Sequence, residues 1–432
     1  MAFCAIVSCT KKEGKPNVIL IMADDMGYEC LAVNGAIAYQ TPTLDKMAKT
    51  GMRFTNVFSQ PLCTPSRVKI MTGKHNFRNY EYFGYLNSNQ KTFGNLMQEA
   101  GYKTCISGKW QLNGLSYDLP GHDDPTRPNK FGFDEYCLWQ LHRPRKDGER
   151  YADPLIYKNG EKLEGLSEKY GPDIFADFVC QFIEKNATEP FFIYYPMVLV
   201  HDPFVPTPDL PEWRIKEKRY EKDSEYFKDM MAYTDKIVNK IQLTLKDHGI
   251  EDNTLLIFTA DNGTHSSITT QTISGPYQGG KSFTTQRGIH VPFVVSWPNR
   301  ISKSGDYDGI VDFGDFYPTL AEIAGINISN EIIDGTSFLK VLSGDYSPTK
   351  RTALIHYDPK WGKASQNRNR FSMTDQYKLY QDGIFFNYSK NIDEVKPIDS
   401  LTSSENGIKE KLQEMLDKAE MEFPWMEEPI EQ

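Results

Sequence analysis

Val18-Ile19-Leu20-Ile21-Met22, followed at once by Asp24-Asp25-Met26-Gly27, is the stretch on which the fold turns. Five large apolar residues in a row are too few for a helix and too uniform for a sheet with one wet face, so they predict a strand buried on both sides. Two carboxylates directly after such a strand do not belong in a core. They belong at the carboxyl edge of an open α/β sheet, where ligands bind.

The same form recurs. Lys103-Thr104-Cys105-Ile106-Ser107 reads as a strand that carries Gly108-Lys109-Trp110, Phe191-Phe192-Ile193-Tyr194-Tyr195 leads toward His201, and Thr254 to Thr259 ends at Asp261-Asn262-Gly263. Val291 to Trp297 is a further buried strand. Helical patterns lie between them: Thr43 to Lys49, Phe93 to Ala100 stopped by Gly101, and a long one from Ser224, read as its cap, through Phe227, Met230, Met231, Thr234, Ile237, Ile241 and Leu245 to Gly249. The alternation predicts an α/β protein with a large mixed, mostly parallel sheet flanked by helices. Asp24, Lys109, His201 and Asp261 then converge beyond its strands.

After about Leu342 the texture becomes polar and aromatic, with short strands at Ala353 to Tyr357, Phe371 to Met373, Tyr377 to Tyr380 and Ile384 to Tyr388, and a helical pattern from Ile408 to Met421. The expected organisation is a leader over 1–15, a catalytic domain over 16–342, and a smaller C-terminal domain of antiparallel sheet plus helix over 343–432. The formal charge of −9, from 49 Lys plus Arg against 58 Asp plus Glu, excludes a broad cationic face for nucleic acid. Any anionic substrate must be met by locally placed cations. Seven scattered cysteines fit neither a disulfide framework nor a zinc site. The opening run Met1 to Lys12 has a short apolar stretch, then Cys9 and charged residues. It is similar to the end of a bacterial lipoprotein signal, which predicts a periplasmic or outer-membrane lipoprotein whose membrane contact is a lipid anchor on Cys9. It departs from that form in lacking a basic n-region. No later run reaches the ~20 apolar residues of a membrane span.

Cys63-Thr64-Pro65-Ser66-Arg67, with Thr72-Gly73 beyond it, places a thiol, a proline read as the first residue of a helix, and a guanidinium within five positions. A lone cysteine is ordinarily a small buried residue. Here the run resembles the signature of the type I sulfatases, members of the alkaline phosphatase superfamily. The resemblance continues through Pro16-Asn17-Val18 to Gly27-Tyr28, Thr41-Pro42-Thr43-Leu44-Asp45, Gly108-Lys109-Trp110, Thr259 to Gly263, Gly279-Gly280-Lys281 to Val291-Pro292, Asp334-Gly335 and Tyr377-Lys378-Leu379. It implies that Cys63 is converted by a maturase to formylglycine, whose hydrate is the nucleophile. It implies a metal site from Asp24, Asp25, Asp261 and Asn262, joined by residue 63; these hard oxygen donors suit calcium, or magnesium, better than zinc. Arg67 matches the residue that holds the hydrate, Lys109 and Lys281 the lysines that contact sulfate, and His201 the histidine that donates to sulfate or to the departing oxygen.

One position departs from the family. Gln111 stands where a histidine is common, and an amide can donate a hydrogen bond but cannot act as a base near neutral pH. Gln111, His142, Arg143 and His265 are the candidates for substrate binding, the last three a cationic group suited to an anionic sugar. The reading is therefore a calcium-dependent, formylglycine-dependent sulfuric ester hydrolase acting on a sulfated glycan. The alternatives are a phosphoester or phosphonate hydrolase on the same scaffold, and an unmatured sulfated-glycan-binding protein in which Cys63 stays a thiol.

Overall fold

A computed structural model describes residues 14–114, 118–141, 150–345 and 351–425. Most of the leader with Cys9, and the pair His142 and Arg143, lie outside the described residues. No described helix is long and apolar enough to cross a membrane.

The buried run forms β1 (Asn17–Ala23), every residue of which is buried. It is central in a ten-stranded sheet. The other strands are β2 (Met52–Phe58), β3 (Lys103–Lys109), β4 (Glu135–Trp139), β5 (Tyr157–Lys158), β6 (Glu161–Lys162), β7 (Phe191–Pro196), β8 (Thr254–Ala260), β11 (Val294–Ser296) and β12 (Gly305–Asp312). Their spatial order is β12-β2-β11-β8-β1-β7-β3-β4-β5-β6. β1 pairs in parallel with β7 and β8, β3 with β7 and β4, and β2 with β12. β11 is antiparallel to both its neighbours. The sheet is thus mixed and mostly parallel, as its apolar runs predict. A ribbon of β9 (Thr269–Thr272) and β10 (Gly275–Gln278) stands apart from it.

A second sheet holds β13 (Ala353–Tyr357), β14 (Asn369–Met373), β15 (Tyr377–Tyr380) and β16 (Phe385–Asn387) in simple antiparallel order. The helix Ser403–Glu422 covers it through Leu412, Leu416 and Ala419, which pack with Leu354, Leu379 and Phe385. The other side meets the large domain in an apolar cluster that includes Phe58, Leu62, Cys63, Phe83, Ile355 and Tyr357.

Some boundaries differ from those read in the sequence. The run Val291 to Trp297 contributes only Val294–Ser296 as a strand, because Pro292 has no N–H to give a ladder. The long helix begins at Tyr226, and Ser224 does not cap it; the side chain of Asp223 accepts instead from the Glu225 N–H at 3.0 Å. The C-terminal helix starts five residues before Ile408, where Thr402 and Glu405 form a reciprocal capping box. The helix Cys63–Thr72 starts at Cys63 itself, so Pro65 is its third residue rather than its first.

Candidate active site

Two central strands bring their acids to one point. Asp24 and Asp25 leave β1, and Asp261 and Asn262 leave β8; all four are fully buried. The backbones interlock there: the Asp25 N–H donates to Asp261 Oδ1 at 3.0 Å, and Asn262 Nδ2 donates to Asp25 Oδ1 at 2.9 Å. Asn262 Oδ1 is buried and has no hydrogen-bond partner among the described residues. Ligand atoms of Asp24, Cys63 and Asp261 lie within 4.8 Å of one another. The only other described group of this kind, Asp24, Asp25 and His201, shares Asp24, so the described residues form one cation centre rather than two.

Each carboxylate has a cation. Arg67, buried one turn along the helix from Cys63, places Nη2 2.7 Å from Asp261 and 3.6 Å from Asp24. Lys109, the last residue of β3, donates to both oxygens of Asp24 at 2.9 and 2.8 Å. Its approach depends on Gly108, which has φ +115°; a Cβ there would lie 2.0 Å from the Pro196 carbonyl. Lys281 Nζ lies 2.5 Å from Asp25 Oδ2 and 3.0 Å from His201 Nε2. His201 Nδ1 lies 2.7 Å from the Asp202 backbone carbonyl and 3.0 Å from its carboxylate, which together fix the ring, and the Tyr151 hydroxyl lies 2.8 Å from the Val198 carbonyl and against that of His201.

Burial alone would raise the carboxyl groups of Asp24 and Asp25. Around Asp24 the charges of Lys109, His201, Arg67 and Arg150 prevail and hold it well below the usual carboxylate range; around Asp25, His201 and Lys281 do the same. Asp261 is pushed up to about 7 by burial and by the Asp24 charge, because Arg67 is shared between the two. Two buried carboxylates that face each other repel, and the repulsion raises one of the pair. Burial lowers His201, and Asp25 partly opposes it.

The site opens into a cleft of about 790 Å³. Of the sequence candidates, Cys63, Lys109, Gln111, His201, His265 and Lys281 line it. His265 sits at its exposed rim with Nδ1 2.8 Å from Ser267 Oγ. The small domain supplies Trp361, whose ring stacks on Phe83 at 4.5 Å and 6°. Gln140, Arg150 and Asp202 also line the cleft and were not singled out in the sequence. Gln140 had a signal, since Trp139-Gln140 at the end of β4 repeats Trp110-Gln111 at the end of β3. Arg150 had none.

A parallel sheet whose strand ends gather three carboxylates, three cations and a helix-borne thiol in one cleft defines a hydrolase centre for a tetrahedral oxyanion ester. The particular family follows from comparison. The sulfatase family pattern matches residues 16–326, and that of the C-terminal region of N-sulphoglucosamine sulphohydrolase matches 279–420. The chain belongs to the sulfatase family and is a sulfate ester hydrolase. Among its relatives are Arylsulfatase G of Homo sapiens, 30% identical over 419 residues (84% of this chain, 75% of that protein), and N-acetylgalactosamine-6-sulfatase of Canis lupus familiaris, 29% identical over 362 residues (76% and 66%). Among solved structures, Ps i-CgsB, seen alone and in complex with k-i-k-neocarrahexaose, superimposes with a TM-score of 0.78 at 25% identity, covering 97% of this chain and 96% of that one.

Proposed function

We propose that this chain removes sulfate from a sulfated carbohydrate, with a formylglycine made from Cys63 by a maturase and with a bound calcium ion. The carrying observation is the placement of Cys63 at a helix start within 4.8 Å of the ligand atoms of Asp24 and Asp261. The donor set fits a hard divalent cation: three buried carboxylates and the unpartnered Asn262 Oδ1 offer only oxygen. Asp24, Asp25, Asp261 and Asn262 would hold the ion. The Cys63 Sγ marks the place of the modified residue's oxygens. A formylglycine hydrate held beside the cation would supply a nucleophilic hydroxyl of lowered pKa and a second hydroxyl whose proton loss would let the aldehyde re-form.

The chain's own residues do the rest. Lys109 and Lys281 bind the sulfate oxygens, and with Arg67 they place positive groups around a monoanionic ester whose charge shifts during reaction. Arg67 orients residue 63, since its guanidinium is fixed at once by Asp261 and by the Lys109 carbonyl at 3.3 Å. His201, oriented by Asp202, presents Nε2 to the anion and to the departing oxygen. Gln111 donates to the anion and takes no part in proton exchange. The carbohydrate in this reading is supported by the sugar named in the Ps i-CgsB complex and by the Trp361–Phe83 stack, a flat apolar face suited to a sugar ring.

The test is sulfate release by the matured chain from galactose 4-sulfate, galactose 6-sulfate, N-acetylgalactosamine 6-sulfate, k-i-k-neocarrahexaose and 4-nitrophenyl sulfate. Activity should rise in step with the fraction of the residue-63 peptide that is about 18 mass units lighter than the cysteine form. Full activity from a wholly unmodified thiol would refute the nucleophile. Turnover of no sugar would refute the carbohydrate.

A further inference from the structure

The cleft contains polar atoms that nothing in the described chain satisfies. Oε1 of Gln111, Oε1 of Gln140, and Nε and Nη1 of Arg150 are shielded from solvent and have no hydrogen-bond partner among the described residues. Leaving each such atom unpaired costs about 1–3 kcal/mol, so a folded protein keeps few of them without a reason. Four on three residues that line one cleft are unusual.

The backbone is arranged to put them there. Gln111 and Gln140 have φ of +56° and +61°, a region that non-glycine residues enter at a cost of about 1–3 kcal/mol and that clusters at ligand sites. Each follows a tryptophan at the end of one of two neighbouring parallel strands. Lys109 pairs with Trp139, and the Trp110 N–H donates to the Trp139 carbonyl at 2.9 Å, which sets the two turns side by side. Both indoles are buried beneath. Arg150 stacks its guanidinium on the Trp139 ring at 4.2 Å and lies 3.9 Å from Asp24 Oδ2. Its backbone is fixed as well, because a Cβ on Gly171 would come 2.1 Å from the Arg150 carbonyl. Lys109 holds Asp24 at 2.8 Å, whereas Arg150 only stands near it and makes no hydrogen bond to it, so its donors stay open to the cleft.

We propose that Gln111, Gln140 and Arg150 form a hydroxyl-recognition subsite beside the sulfate, which binds the ring hydroxyls of a pyranose sulfate that lie nearest the ester. The inference rests on the carbohydrate reading above and deepens it. The amide oxygens need donors, and the guanidinium needs acceptors. A hydroxyl is both, whereas sulfate alone offers only acceptors and would leave the glutamine oxygens unpaired. An aryl sulfate presents no such groups beside its ester. A site built around polar partners rejects a ligand that lacks them more strongly than an apolar site rejects a change of size. The subsite therefore selects sugar sulfates over aryl sulfates.

The test uses the matured full chain and the same five esters, with Gln140→Gly, which relieves the backbone while removing the amide, and Arg150→Met, which keeps an apolar stem on Trp139. For the best sugar sulfate, kcat/KM should fall about 10- to 100-fold in each variant, and the sugar-to-aryl ratio of kcat/KM should fall at least about tenfold. A deoxy form of that sugar, lacking the hydroxyl next to the ester, should lose as much with the wild type and lose little further with Gln140→Gly. Equal losses on sugar and aryl esters, or no loss on either, would overturn the subsite and leave the carbohydrate reading standing. If the wild type cleaves no sugar, the carbohydrate reading itself fails.

Discussion

The buried pair Lys378 and Glu394 links the small sheet to the catalytic loop, and breaking it has calculable consequences. Lys378 is fully buried; its ammonium donates to Glu394 and to the Thr284 carbonyl at 2.7 Å and faces the rings of Phe371, Tyr380 and Tyr388 at 4.6, 5.5 and 5.7 Å. Burial pulls its pKa down, and Glu394 opposes this. Glu394→Gln leaves that charge in a dry site without its counterion, a loss of about 3–5 kcal/mol. Cooperative unfolding of 432 residues carries about 2 cal/mol/K of entropy per residue, so Tm should drop by about 4–6 °C. Lys378→Met/Glu394→Gln removes both charges, packs a thioether among the aromatics and keeps an acceptor for the Tyr380 hydroxyl. It should therefore recover most of the lost stability.

Activity should behave differently. Thr284 lies three residues after Lys281, and its carbonyl is held by Lys378, so the double variant stays impaired in sulfate release while its Tm returns. Thermal unfolding and initial rates on Glu394→Gln, Lys378→Met and the double variant test both statements. A double variant no more stable than the singles would refute the electrostatic account, and parallel recovery of rate and Tm would refute the role in placing the Lys281 loop.

Three further outcomes follow from the site and its supports. Gly108→Ala must move either the backbone at φ +115° or the Pro196 carbonyl 2.0 Å away, and either shift displaces Lys109; sulfate release should fall at least about 100-fold with a clear loss in Tm. Chelation should abolish sulfate release and lower Tm, and calcium at about 100 times its Kd should return about 2.7 kcal/mol; an unchanged Tm would count against the Asp24, Asp25, Asp261 and Asn262 centre. The fold holds His290 neutral, with Nε2 2.8 Å from the Thr55 carbonyl and the ring stacked on Tyr28 at 4.1 Å, and burial pushes its pKa from 6.5 down to about 4. Its contribution is complete above pH 6.5 and is lost as pH falls toward 4, so wild type should lose about 1–2 kcal/mol between pH 7 and pH 5 that His290→Gln does not lose, as read from denaturant midpoints.

Legibility followed the physics of each residue. β1, β3, β7 and β8 were readable because buried parallel strands are nearly unbroken apolar runs, and the acids and lysines at their ends were readable because charge is anomalous there. β2 and β12 were not singled out, since Arg53-Phe54-Thr55-Asn56 and Asp306-Tyr307-Asp308-Gly309 mix polar and apolar residues in the manner of loops. Thr402-Ser403-Ser404-Glu405 carried a capping-box signal that sets the true helix start, and it went unread. Arg150 and Trp361 could not be found locally. Their importance exists only when Trp139 lies under one and Phe83 under the other.

The stack of Trp361 on Phe83 has an evolutionary consequence. The acids and cations of the reaction centre come from residues 24 to 281, as does Phe83, while its stacking partner Trp361 is carried on a loop after β13, in a different sheet. A loop insertion or exchange near Trp361 can therefore reshape which ester enters without disturbing the charges that break it. One part of selectivity is therefore inherited apart from reactivity: the charges and the hydroxyl subsite can stay fixed in the large domain while the Trp361 loop of the small one drifts toward sugars of other shape.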